Sequence, residues 1–152
     1  MSYLFTDLFL PCVYAFLACI GFCFIFNIHG PGILICGCGG ALGWLVYLLS
    51  AFILPNAIFQ CLLAAITITV FSEVMARIRR CPVTGYLIIA LLPLVPGGGI
   101  YETMRHCVQG DTQLFLSALL RTFGLAGALA LGTLLGSSVM RILIPLFRRI
   151  HK

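Results

Sequence analysis

From residue 8 to residue 72 the chain contains no Asp, Glu, Lys or Arg, and apart from its cysteines the only group there that titrates near neutral pH is His29. A water-soluble fold needs charged surface wherever a segment reaches solvent, so a run of this length belongs in the hydrocarbon of a bilayer. The whole chain agrees: of 152 residues, 62% are hydrophobic and 9% charged, and mean hydropathy is +1.16, values far from those of soluble domains. The opening segment MSYLFTDLFLPC carries Asp7 and no basic residue. It lacks the n-region of a cleaved signal, and the first apolar run is expected to stay.

A hydrocarbon core about 30 Å thick takes about 20 helical residues. That length predicts spans at about 8–26, 33–49, 55–72, 83–95 and 112–140, with a basic tail at 141–152. The expected fold is an all-α integral membrane protein, a single transmembrane domain over residues 1–152. It is a bundle of four to five transmembrane helices with a Pro/Gly-broken fourth segment. At about 13 residues span four covers only about 20 Å at helical rise, so five crossings, or four with a re-entrant segment, both remain open. Arg77, Arg79 and Arg80 share one side of the five-span chain with Arg141, Arg148, Arg149 and Lys152. The positive-inside rule makes that side cytoplasmic, with the N-terminus outside. The tail RILIPLFRRIHK suits either an interfacial helix on anionic headgroups or a plain positive stop to span five.

Several function classes fall away. The basic residues sit where topology needs them and not in a stripe with aromatics, so no nucleic-acid partner is expected. Most of the eight cysteines lie inside apolar runs and read as small packing residues; Cys36 and Cys38 have no His or acidic neighbours, so no metal or other cofactor is expected. There is no His/Asp cluster, no D-x-x-D and no G-x-S-x-G, and the chain is not expected to be an enzyme. Small residues recur four apart along span five (Gly124, Ala128, Gly132, Gly136), span three (Ala57, Cys61, Ala65, Thr69) and span one (Ala15, Cys19, Cys23). Span two has two such lines, Gly32/Cys36/Gly40 and Gly39/Gly43. These faces predict close helix packing, and five short spans make a small body for a pathway, so a partner or self-association is expected.

Polar groups are so scarce at membrane depth that each is a candidate. Glu73 stands four residues before Arg77, either a surface ion pair or a cavity carboxylate that carries a coupling proton. Arg121 lies near the outer headgroups, where its stem can snorkel. Asn27 sits in the inner turn NIHGPG, and His29 beside it brings an imidazole that can sense acidity. The densest feature is LLPLVPGGGIYETM, residues 91 to 104. Pro93 and Pro96 each remove a helix donor, and Gly97, Gly98 and Gly99 free the backbone to turn, so the helix must break. Broken backbone at membrane depth usually lines a cavity. A helix restarting at IYETM would aim free amides at the break and favour an anion such as a substrate carboxylate. Tyr101 would add a hydroxyl and Glu102 a cation or proton site. The plain alternative is a loop, with Glu102 stabilising the first turn of the next helix.

The run FSEVMARIRRCPVTGYLIIALLPLVPGGGIYETM, with FNIHGPGILICGCGGALGW before it, resembles the threonine/serine exporter family, in particular its stand-alone small subunit. The resemblance covers nearly the whole chain, and PLVPGGGIY is its most specific part. The matching motif positions are Asn27, Glu73, Arg77, Pro82, Pro93, Pro96, Gly97, Gly98, Gly99 and Tyr101. Membership would imply proton-motive-force-dependent efflux of threonine and serine, or of C4-dicarboxylates such as succinate, across a bacterial inner membrane, together with a larger membrane subunit. On that basis Pro93, Pro96, Gly97, Gly98, Gly99 and Tyr101 are the expected substrate-binding residues, and Glu73, Arg77, Glu102 and Asn27 the coupling or gating ones. The alternative is a non-transporting accessory subunit that stabilises its partner.

Overall fold

A computed structural model describes residues 2–150, with side chains described for Thr6 and for residues 8–142. The basic side chains expected to end the chain, Arg148, Arg149 and Lys152, lie outside the described residues. Helices follow one another as α1 (Ser2–Ile25), α2 (Gly32–Ala51), α3 (Ala57–Arg79), α4 (Val83–Leu91), a 3-10 turn (Leu92–Leu94), α5 (Gly97–Gln109) and α6 (Thr112–Ile150). The segments Leu8–Ile25, Gly32–Ala51, Ala57–Arg79 and Thr112–Ile142 are each long and apolar enough to cross a membrane. The α4 segment and α5 pass the same test only together, bent by 53° at the break. The chain is an all-α, multi-pass membrane protein.

Local chemistry fixes the ends of these helices. After α1 the chain reverses through Asn27 (φ 56°) and Gly30 (φ 68°), both in the left-handed region that Asn and Gly tolerate best. The Asn56 side chain accepts from the Ile58 amide at 3.0 Å and caps α3, so Pro55 precedes the cap instead of occupying the first turn. Arg80 closes α3 in the left-handed conformation (φ 53°), and Pro82 then starts α4 from extended backbone. Gly110 (φ 76°) ends α5, and the Asp111 side chain accepts from the Leu114 amide at 3.3 Å to begin α6. The α6 backbone runs on as helix through Arg141 to Ile150 without a break.

The small-residue lines face one another. A Cβ on Gly124 would meet Ile58, one on Gly132 would meet Ala65, and one on Gly136 would meet Thr69, so α3 and α6 run parallel and nearly touch. The two lines on α2 face different neighbours. Gly40 abuts Cys19 of α1, while Gly39 abuts Ala90 of α4 and Phe71 of α3, and Gly43 abuts Ile68 of α3. Cys19, Cys23, Cys36 and Cys61 are fully buried in these seams, filling the volume of a small apolar residue. In lipid this close van der Waals packing, and not apolar burial from water, holds helices together.

The same contacts give direction. Gly32 abuts Tyr86 and Gly39 abuts Ala90, so α4 runs parallel to α2, and both run antiparallel to α3. Gly99 of α5 abuts Thr122 of α6, and only Gly110 and Asp111 connect the two, so α5 and α6 form an antiparallel hairpin. The chain therefore keeps its sense through the break, as in a broken span and unlike a re-entrant loop. Since Gly124 is level with Ile58, the 12 residues of α6 before it reach about 18 Å beyond that level at helical rise. Helix α5 packs against this projecting part.

Candidate functional site

The break stands about one helical turn from the end of α3. Leu125 lines the same cavity as Pro96, and its carbonyl faces the Cys61 thiol at 3.9 Å. Cys61 lies one helical turn along α3 from Ala57, about 6 Å inward from the end of that helix. The 3-10 turn, the extended residue Val95 and the tight turn at Pro96 (ψ 59°) form the break, and α5 continues beyond it.

At the break, the Pro96 carbonyl is the acceptor in helical register ahead of α5. The Gly97 amide turns back to the Val95 carbonyl at 2.7 Å, and the Ile100 amide takes the Pro96 carbonyl at 3.1 Å. The Gly98 and Gly99 amides lie between them in the first turn, where an α-helix leaves its donors without internal partners. They border a cavity of about 290 Å³ lined by Pro96, Gly98, Gly99, Glu102, Ala118, Arg121, Thr122 and Leu125. Two hydroxyls nearby are already donating. Thr122 Oγ1 gives its proton to the Ala118 carbonyl and Thr103 Oγ1 to the Gly99 carbonyl, each at 2.7 Å. Thr122 can still accept from a ligand.

The glycines of the break differ in their surroundings. A Cβ on Gly98 would meet nothing within 4 Å, whereas one on Gly99 would stand 2.5 Å from Thr122 Oγ1. Gly99 is thus fixed by the approach of α6, and Gly98 leaves open space. Pro93 faces away, into a groove of about 260 Å³ with Pro11, Tyr14, Ala15, Ala18 and Trp44. Tyr101 is exposed and takes no part in lining the polar cavity.

The expected coupling residues divide between the two ends of the bundle. Glu102 stands in the cavity. Glu73 accepts from Arg77 at 2.9 Å, the one ion pair among the described residues. Glu73 lies 12 residues along α3 from Cys61, about 18 Å from the cavity level. Asn27 is at that far end too, and its carbonyl faces His29 Nδ1 at 3.0 Å. Arg121, expected near the outer headgroups, is exposed close to the level where α3 begins and lines the same cavity as Glu102. A hairpin closed at Gly110 and Asp111 folds position 102 to the level of position 119, within two residues of 121, and that symmetry was the signal available in the sequence. Among the described residues no three His, Cys, Asp or Glu side chains gather as a metal site.

Comparison with known proteins gives one finding. A family model described as "Threonine/Serine exporter, ThrE" matches residues 11–139. No curated protein and no solved structure matches the chain.

Proposed function

The chain belongs to the threonine/serine exporter family, and we propose that it forms the substrate-holding part of a proton-motive-force-driven exporter of threonine and serine, working as a small subunit beside a larger membrane subunit. The observation that carries this reading is the break between α4 and α5 opening into a cavity with both charges and free amides. Irregular backbone inside a bundle is stable when protein or water satisfies it, and secondary transporters place their sites at such breaks. Helix amides at Gly98 and Gly99 suit a substrate carboxylate.

Glu102 is the coupling carboxylate in this proposal, because it borders the same cavity as the amides. The Glu73–Arg77 pair and the Asn27 turn sit at the opposite end and act as the cytoplasmic gate. The positive-inside rule supports that orientation, since Arg77, Arg79, Arg80 and Arg141 lie at one end of the parallel α3 and α6. A larger partner is supported by α6, whose apolar window is only 6% buried within this chain.

The test is threonine and succinate efflux from cells lacking both subunits. Restoring both should recover threonine export, and restoring the partner alone should not. Full recovery by the partner alone would remove this chain from the pathway.

A further inference from the structure

Arg121 and Glu102 enter one cavity from opposite helices of the α5–α6 hairpin, yet they do not pair: the ion pair among the described residues is Glu73 with Arg77. Both side chains are exposed and unpaired with each other, so the cavity offers two opposite charges to whatever enters. The cavity, about 290 Å³, is at the small end of ligand sites. A ligand that satisfies both charges at once must carry a cation and an anion a few bonds apart, which describes the zwitterion of a free α-amino acid.

We infer that Arg121 and Glu102 are a two-charge clamp, Arg121 holding the substrate carboxylate and Glu102 its ammonium. Guanidinium matches a carboxylate with paired, charge-assisted hydrogen bonds, and a carboxylate offers acceptors to the three protons of an ammonium. Thr122 Oγ1, committed as a donor to Ala118, is left to accept from a substrate hydroxyl. The clamp rejects dicarboxylates, because a second carboxylate would face Glu102. It rejects acids or amines carrying only one of the two charges, because one clamp residue would stay unpaired. A proton and the substrate ammonium would exclude each other at Glu102. The assignment rests on the exporter reading only for its choice of threonine as ligand.

The experiment is equilibrium binding of labelled L-threonine to de-energised membranes containing the full chain with its partners, with export from intact cells measured in parallel. Unlabelled N-acetyl-L-threonine, L-threoninamide and succinate should each compete about tenfold less well than threonine, the scale of one lost charge-assisted contact. Glu102→Gln should weaken threonine binding and bring N-acetyl-L-threonine to within about threefold of it, while Arg121→Gln should do the same for L-threoninamide. Blocked analogues that compete as well as threonine would overturn the clamp, as would variants that leave the ratios unchanged or membranes that bind no threonine. The two readings separate cleanly. Binding with the expected pattern but no export keeps the clamp and removes the exporter role; export with unchanged ratios does the reverse.

Discussion

Gly98 and Gly99 are consecutive, and only the second is held against another helix: a Cβ on Gly99 would stand 2.5 Å from Thr122 Oγ1, while one on Gly98 would meet nothing. The first turn of α5 therefore presents one glycine to the α5–α6 seam and one to open space beside the cavity. Substitutions at the two positions separate occupancy of the site from integrity of the fold.

Gly98→Leu should abolish threonine export while leaving the thermal midpoint of the purified protein nearly unchanged, since the added side chain has room beside the cavity. Gly99→Leu should lose stability by about 1–3 kcal/mol, the usual cost of overpacking. Thr122→Ala removes the hydroxyl that blocks Gly99, so Gly99→Ala should be tolerated better with Thr122→Ala than alone. Normal export by Gly98→Leu would remove the site from this cavity.

Arg77 is half exposed and Glu73 mostly covered, and their 2.9 Å contact is a helical i to i+4 pair. Such pairs contribute about 0.3–0.5 kcal/mol when exposed. Arg77→Gln should therefore shift the midpoint very little. A large fall in export for that variant would report gating, and unchanged export would leave the pair a surface contact.

Asn27 holds φ at 56°, a left-handed geometry that costs an ordinary L-residue about 1–2 kcal/mol and a glycine little. Asn27→Gly should match the parent in stability, and Asn27→Val should lose about that amount. If export also survives Asn27→Gly, the asparagine serves the turn; if export falls with stability intact, its side chain serves the gate.

How much of this was legible in sequence depends on whether a feature lives on one helix or between two. The crossings follow from the uncharged stretch before Glu73, and the break follows from Pro93 and Pro96, because both are properties of a single segment. That Arg121 shares a cavity with Glu102 was not legible, because its position was read along α6 alone. Its partner across the cavity appears only when α5 folds back at Gly110 and Asp111. The lines of small residues on spans three and five were visible, but spacing cannot say that Gly132 meets Ala65 in parallel register. The continuation of α6 past Met140 was also hidden, since Arg141 marks a topological boundary and does not disfavour helix.

That parallel seam gives the last prediction. A Cβ on Gly132 would lie 2.6 Å from the Ala65 Cβ and 2.8 Å from the Leu62 carbonyl oxygen, and the latter is backbone that cannot rotate aside. Gly132→Val must separate α3 from α6, with an expected cost at the upper end of about 1–3 kcal/mol. Five residues earlier on the same helix, a Cβ on Gly127 would meet nothing within 4 Å. Gly127→Ala should raise stability, because alanine is favoured over glycine in a helix interior by about 1 kcal/mol. Thermal unfolding of both variants in one detergent checks the pair. Equal tolerance at 127 and 132 would mean that α6 does not lie against α3 in this register, and the cavity it shares with α5 would have to be rebuilt.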